Sequence, residues 1–130
     1  MEPGTCQKIY GPEKPFLEIA YMSAGIVFAD EDLRLAFDNL RNSKTEDKQL
    51  YDLLSRAFED IEKNPSGFIH VPNNLIPKEY KKKYEIDNLW KYDLPNGWRL
   101  LYSLAKDKVL LLAIILEWMD HKNYERKFKY

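Results

Sequence analysis

The residues best suited to chemistry lie in the last third of the chain. Arg99 follows a glycine-containing turn sequence and carries a planar guanidinium, which matches the oxygens of a phosphate. His121 follows the last apolar stretch and belongs to the residue type whose charge changes near neutral pH. Lys91 and Lys122 add positive charge, and Tyr124 adds an aromatic ring. Together these side chains could hold a phosphate group and move a proton.

Positive charge is concentrated in two short clusters. The formal net charge is −1, which argues against a strongly basic nucleic-acid binder. The first 66 residues hold 8 basic and 13 acidic side chains, whereas the last 64 hold 12 and 8. The clustered basic residues are Lys78, Lys81, Lys82 and Lys83, and then Lys122, Arg126, Lys127 and Lys129. Such clusters form either a local binding surface for a polyanion or a solvated charged face.

Length and composition indicate one globular domain. The chain has 130 residues, 45% of them hydrophobic and 32% charged, so it can bury a single core. Frequent Pro and Gly mark residues 1–22 as an N-terminal extension to a domain over residues 23–130. A single cysteine, Cys6, excludes an intrachain disulfide and a cysteine zinc site. The longest apolar run, Val109 to Leu116, is too short to span a bilayer. Because no signal-peptide pattern opens the sequence, we expect a cytoplasmic protein without membrane contact.

The first half of the domain predicts one strand and a helical hairpin. Ile26 to Phe28 is a candidate for a short buried strand. Asp30 precedes two acids and then apolar residues at helical spacing, which is typical of a capped helix start. A second apolar stripe, from Leu50 to Ile61, predicts an antiparallel partner helix with Thr45 as its cap.

The second half predicts a three-stranded antiparallel meander. A short helix from Lys78 to Tyr84 precedes it. Alternating apolar residues predict strands from Leu89 to Leu94, from Trp98 to Ala105 and from Val109 to Trp118. The last strand is apolar on both faces and should therefore be central. The tail over residues 120–130 is expected to form a short helix packed by its aromatic residues.

This order of elements predicts a two-layer α+β fold. Both long helices must lie on one face of the sheet to bury their apolar stripes. Trp98, Leu100 and Tyr102 alternate onto one face of their strand, so Arg99 points to the other. We expect that other face to be less covered, with polar strand residues lining a concave surface.

Three segments of the meander and its tail carry a recognisable pattern. They run from Leu89 to Leu94, from Asn96 to Tyr102 (Asn-Gly-Trp-Arg-Leu-Leu-Tyr) and from Glu117 to Tyr124 (Glu-Trp-Met-Asp-His-Lys-Asn-Tyr). With the element order over residues 24–130, these segments resemble the RelE/ParE superfamily of toxin–antitoxin systems. The resemblance implies a RelE-like fold: one short N-terminal strand, a helical hairpin and a three-stranded antiparallel meander.

The RelE branch of this family implies an endoribonuclease that cleaves mRNA on the ribosome and is neutralised by an antitoxin protein. The RNA's own 2′-hydroxyl would be the nucleophile, so the reaction would need no metal or cofactor. The matched positions imply that Arg99 stabilises the phosphorane and that Lys91 holds phosphate or helps to deprotonate the hydroxyl. His121 would donate the proton, and Tyr124 would stack on a base or orient the phosphate. The expected RNA-binding residues are Lys122, Lys81, Lys82, Lys83 and Arg126.

Each of these side chains also has a structural interpretation. Arg99 could be paired with Asp93 or Glu117, His121 could cap a helix, and Tyr124 could serve packing. An acid at position 93 would repel RNA unless it is paired. Two alternatives therefore stay open: a non-catalytic binder of the RelE/ParE fold, directed at gyrase or regulatory, and an unrelated α+β protein-interaction module.

Overall fold

The structure is a computed structural model that describes residues 24–107 and 110–128. The extension predicted for residues 1–22 lies outside the described residues. The strands are β1 (Gly25–Phe28), β2 (Ile69–His70), β3 (Trp90–Asp93), β4 (Arg99–Asp107) and β5 (Leu110–Met119). The helices are α1 (Glu31–Arg41), α2 (Thr45–Lys63), α3 (Lys78–Tyr84) and α4 (His121–Phe128). None of these helices is both long and apolar enough to cross a bilayer.

The five strands form one mixed sheet in the order β1-β5-β4-β3-β2. β1 runs parallel to β5, and the remaining neighbours are antiparallel. The predicted α+β class, the meander and the inner position of its third strand are confirmed. The predicted strand count is wrong, because the two-residue strand β2 adds a fifth. β1 is an edge strand and not a buried one, since Val27 is 37% exposed.

Local sequence signals place α1 and α2 on the first face of the sheet. The Asp30 carboxylate accepts a 2.8 Å hydrogen bond from the Leu33 amide, which confirms the predicted cap of α1. Thr45 does not cap α2; it is the first helical residue, and Lys44 precedes it without a side-chain cap. The stripe of α2 packs on β4 and β5 in a core that includes Leu50, Leu54, Ala57, Phe58, Ile61, Leu100, Tyr102, Ala113 and Ile115.

The second face of the sheet is covered as well, which corrects the predicted two-layer arrangement. Helices α3 and α4 pack there and build a second apolar core. Its buried members are Val71, Ile76, Tyr80, Leu89, Leu101, Leu116, Met119, Tyr124 and Phe128. Both helices were expected from the sequence, but each contributes only one or two large buried side chains. That short pattern does not indicate which surface a helix covers.

The register of the β3–β4 hairpin places three charged side chains on the face of the sheet that carries the second core. Asn96 and Gly97 both adopt positive φ, of 65° and 80°, as the turn chemistry requires. The hairpin closes with Asp93 directly opposite Arg99. Lys91 lies opposite Leu101, a member of the second core, so all of these side chains project from the same face. Arg99 therefore points away from α1 and α2, as the alternation of its strand predicts.

Candidate functional site

Arg99 is held at the start of β4 by several neighbours of its guanidinium. One terminal nitrogen donates a 3.2 Å hydrogen bond to the Trp98 carbonyl, and the other lies 3.3 Å from Nδ1 of His121. Nε lies 3.1 Å from Oδ1 of Asp93. The side chain is only 17% exposed, so the guanidinium is fixed in direction and not free in solvent.

His121 is positioned by the helix that it begins. Asp120 caps α4 by accepting a 2.9 Å hydrogen bond from the Asn123 amide. The β3–β4 turn lies against His121: a Cβ added to Gly97 would be in van der Waals contact with Cβ of His121, at 3.4 Å. Nε2 of His121 lies 3.1 Å from the Glu125 carboxylate, one helical turn along α4.

The partners of His121 select one form of its ring. Nδ1 faces an N–H donor of Arg99 and therefore accepts, whereas Nε2 faces the Glu125 carboxylate and therefore donates. This pattern fits a neutral imidazole that carries its proton on Nε2. The proton of this ring then lies on the side away from Arg99.

Lys91 and Asp93 complete the cluster from β3. Nζ of Lys91 lies 3.5 Å from the same Asp93 oxygen that faces Arg99. The Lys91 side chain is 15% exposed and that of Asp93 is 45% exposed. One carboxylate oxygen therefore bridges two cations. The sequence indicated that Asp93 would repel RNA unless it is paired, and in the structure it is paired with both cations.

Tyr124 forms the floor of the cluster. It is 2% exposed, and its ring stacks on Phe128 with centroids 4.4 Å apart. Nζ of Lys91 lies 5.0 Å above the Tyr124 ring, and Cζ of Arg99 lies 5.6 Å from it. A ring buried beneath two cations cannot stack on an RNA base, so that expectation for Tyr124 is wrong. Its contribution is to hold the cations by cation–π attraction.

The guanidinium keeps donors for a further ligand. Arginine has five N–H groups, and each terminal nitrogen of Arg99 has one protein partner, which leaves one N–H on each. Among the described residues, Arg99 Nε is the buried side-chain polar atom that no hydrogen bond satisfies, because Asp93 lies close but out of line. A bound oxyanion would use these remaining donors.

Two of the predicted RNA-binding residues lie on α4. Lys122 is exposed and follows His121 in the sequence. Arg126 lies one turn further along the same side of α4, where it donates a 3.0 Å hydrogen bond to Asn123 and lines a cleft of about 460 Å³ with Trp98.

The predicted RNA-binding lysines of α3 lie on a different helix from the cluster. Lys82 and Lys83 are exposed and Lys81 is half-buried. Lys83 lies over the ring of Tyr84, and a hydrogen bond to that tyrosine raises the pKa of Lys83. These lysines can extend a polyanion surface but do not contact the cluster around Arg99.

A second ionic network ties α3 and α4 to β5. Lys127 lies 3.0 Å from Glu79 and 3.4 Å from Glu117, and the Tyr80 hydroxyl donates a 2.5 Å hydrogen bond to Glu117. Burial lowers the pKa of Lys127, but its bonds to Glu79 and Glu117 outweigh this and raise it above the usual value. Burial and the bond to Glu117 raise the pKa of Tyr80. Glu117 is engaged here, so the ion pair predicted for Arg99 forms with Asp93.

The structure thus brings together Arg99, Lys91, His121 and Tyr124 as the sequence predicted, and adds one residue. The addition is Glu125, which contacts the histidine ring. Its position four residues after His121 on a helix was a usable signal. His70, by contrast, lies on the edge strand β2 against the ring of Trp90.

Comparisons of the chain with protein-family models, with curated proteins and with solved structures returned no match. The resemblance to RelE/ParE toxins, which rests on the element order and on the hairpin and tail motifs, therefore stays a prediction. The geometry around Arg99 is the physical guide to function.

Proposed function

We propose that this protein is a RelE-like toxin, an endoribonuclease that cleaves mRNA on the ribosome and is held inactive by an antitoxin protein. The observation that carries the proposal is the 3.3 Å contact between Arg99 and His121. The two residues come from a strand start and a helix start that lie 22 positions apart. A fixed guanidinium beside an imidazole supplies the cation and the proton donor that RNA cleavage requires.

In the proposed reaction the 2′-hydroxyl oxygen attacks the adjacent phosphorus. Its proton passes to water, helped by the Lys91 ammonium, which stabilises the developing oxyanion. When the phosphate takes over the Arg99 N–H, Nδ1 of His121 takes up a proton from solvent. The bond from phosphorus to the 5′-oxygen then breaks, and the protonated His121 gives that oxygen a proton. The products are a 2′,3′-cyclic phosphate and a 5′-hydroxyl. Glu125 stabilises the charged imidazole before the transfer.

Arg99 acts on the charge that develops at phosphorus. Its two remaining terminal N–H groups can donate to the non-bridging oxygens, whose negative charge grows in the phosphorane. Because the Trp98 carbonyl, His121 and the Tyr124 ring hold the guanidinium, little reorganisation is needed as the charge develops. Loss of one such preorganised donor costs roughly 100- to 1,000-fold in rate.

The proposal is tested by induced expression in a bacterial host. We expect the wild type to stop growth and shorten mRNAs, and Arg99→Ala to abolish both effects. The matched control is Arg41→Ala, which removes the same charge from the exposed end of α1 on the other side of the sheet. A toxic Arg99→Ala variant that still shortens mRNA would contradict the proposal.

The pairing of Asp93 with both cations favours one alternative, a non-catalytic binder of the same fold directed at gyrase or regulatory. Growth arrest with intact mRNA and accumulating DNA breaks would indicate the gyrase-directed form. Expression that is harmless in the absence of any antitoxin would instead favour a protein-interaction module. The mRNA and DNA of the same induced culture separate these outcomes.

A further inference from the structure

We propose that Asp93 is the specificity-determining residue of this site, an internal anion that RNA must displace. The inference rests on the proposed function, since it assumes that the ligand of Arg99 and Lys91 is an RNA phosphate. In the free protein Asp93 is ion-paired with both Lys91 and Arg99. An incoming anion must therefore bind these cations more favourably than Asp93 does. Asp93 thereby selects RNA chains over isolated phosphate groups.

The placement of the carboxylate carries the first step. Oδ1 of Asp93 lies 3.1 Å from Nε of Arg99 and 3.5 Å from Nζ of Lys91. A single oxygen therefore bridges both cations, as a phosphate oxygen would. Asp93 is the most exposed of the three side chains, at 45% against 15% and 17% for the two cations. An anion that approaches Lys91 and Arg99 therefore meets a carboxylate that is already bound to both.

The bonding of Arg99 shows that this carboxylate is not an ideal partner. Nε of Arg99 is buried and has no hydrogen bond, although Oδ1 of Asp93 is at hydrogen-bonding distance. Asp93 is attached to β3 directly opposite Arg99, and in this arrangement its oxygen is not in line with the Nε–H bond. A freely oriented phosphate oxygen can align with the N–H groups of the guanidinium. The internal anion is therefore displaceable.

The charge balance identifies the class of ligand that gains most. Lys91, Arg99 and Asp93 together carry a single net positive charge, and the Glu125 carboxylate faces the His121 ring on the side away from Arg99. That charge is matched by one phosphodiester, and repulsion from Asp93 opposes its binding. Free phosphate and a mononucleotide carry more negative charge per phosphate than a phosphodiester does, so Asp93 repels them more strongly. An RNA chain bound at the cluster can also reach Lys122, which is exposed next to His121, and this contact offsets the repulsion.

The test is the affinity for a fluorescent single-stranded RNA in which every 2′-hydroxyl is methylated, so that it binds but cannot be cut. We expect Asp93→Asn to bind this RNA about tenfold more tightly than the wild type does at moderate salt, since it removes a like charge at close range. The double variant Asp93→Asn/Arg99→Ala should lose the gain. Inorganic phosphate, tested as a competitor, should displace the RNA more effectively from Asp93→Asn.

Asp52→Asn is the matched control, because Asp52 is exposed on α2 and its substitution makes the same change in net charge. A gain equal to that of Asp93→Asn would reveal a general charge effect and overturn the inference. Unchanged or weaker RNA binding by Asp93→Asn would also overturn it. Asp93→Ser, which removes the same charge with a smaller side chain, should reproduce the gain, and thermal melts verify that each variant is folded.

Cleavage of unmethylated mRNA in a translation reaction separates this inference from the proposed function. If Asp93→Asn binds RNA more tightly but neither it nor the wild type cleaves mRNA, the ribonuclease proposal fails and the role of Asp93 in anion selection stands. If the wild type cleaves mRNA but Asp93→Asn shows no gain in affinity, the inference about Asp93 fails alone.

Discussion

Replacement of Tyr124 tests whether the site depends on a buried ring or on a reactive hydroxyl. Tyr124→Leu removes the ring that stacks on Phe128 at 4.4 Å and lies under Lys91 and Arg99 at 5.0 and 5.6 Å. An aromatic pair contributes about 0.5–1.5 kcal/mol and each cation–π contact about 0.5–2 kcal/mol, so we expect a loss of roughly 2–3 kcal/mol in unfolding free energy. Tyr124→Phe keeps the ring and should lose about 1 kcal/mol or less.

The two variants should also differ in function. Without the ring, Lys91 and Arg99 lose their floor, so Tyr124→Leu should bind RNA weakly, whereas Tyr124→Phe should bind and cleave nearly as the wild type does. Urea denaturation measures the first effect, and RNA-binding anisotropy with mRNA cleavage measures the second. The reasoning is refuted if Tyr124→Phe is as inactive as Tyr124→Leu, or if Tyr124→Leu changes neither stability nor binding.

Three further predictions concern the scaffold. Burial and a hydrogen bond to Asp60 raise the pKa of Tyr92 from 10.0 to about 12. The neutral tyrosine therefore stabilises the folded protein below pH 10, and this contribution disappears as the pH rises toward 12. The unfolding free energy of Tyr92→Phe should fall less steeply with pH in this range, and a profile like that of the wild type would contradict this. Gly97→Ala should lower the unfolding free energy by about 1–2 kcal/mol and reduce mRNA cleavage, because a φ of 80° strains any residue with a Cβ and the strained turn lies against His121. A variant as stable as the wild type would refute this. Asp30→Ala should lower the unfolding free energy by about 1 kcal/mol, whereas Asp30→Asn, whose side-chain oxygen can still accept from the Leu33 amide, should not. Equal losses in the two variants would show that this hydrogen bond does not stabilise α1.

Local signals made much of the fold predictable. The predicted short helix from Lys78 to Tyr84 has the observed bounds of α3. The cap at Asp30 and the turn at Gly97 were also predicted, because each depends on a few neighbouring residues. The alternation of β4 placed Arg99 on the face opposite Leu100.

Features that depend on contacts between distant segments were missed. The strand Ile69–His70 is too short to show a period of two, and pairing with β3 alone defines it. The cover that α3 and α4 provide for the second face was missed because one buried tyrosine on α3 and one aromatic pair on α4 do not indicate which surface each helix packs on. That cover explains why Tyr124 is a buried floor and not an exposed stacking residue.

The candidate site was predictable in membership but not in arrangement. The sequence indicated that Arg99 and His121 could act together, and it raised an ion pair of Arg99 with either Asp93 or Glu117. Only the packing of α3 against α4 shows that Lys127 and Tyr80 engage Glu117 and so leave Arg99 to Asp93.

The most direct measurement of the central claim is mRNA cleavage by the wild type and Arg99→Ala side by side in a purified translation system, with the chemistry of the cut ends determined. The proposed mechanism predicts a 2′,3′-cyclic phosphate on one fragment and a 5′-hydroxyl on the other, and a rate at least about 100-fold lower for Arg99→Ala. Intact mRNA with the wild type, other end groups, or an undiminished rate with Arg99→Ala would contradict it.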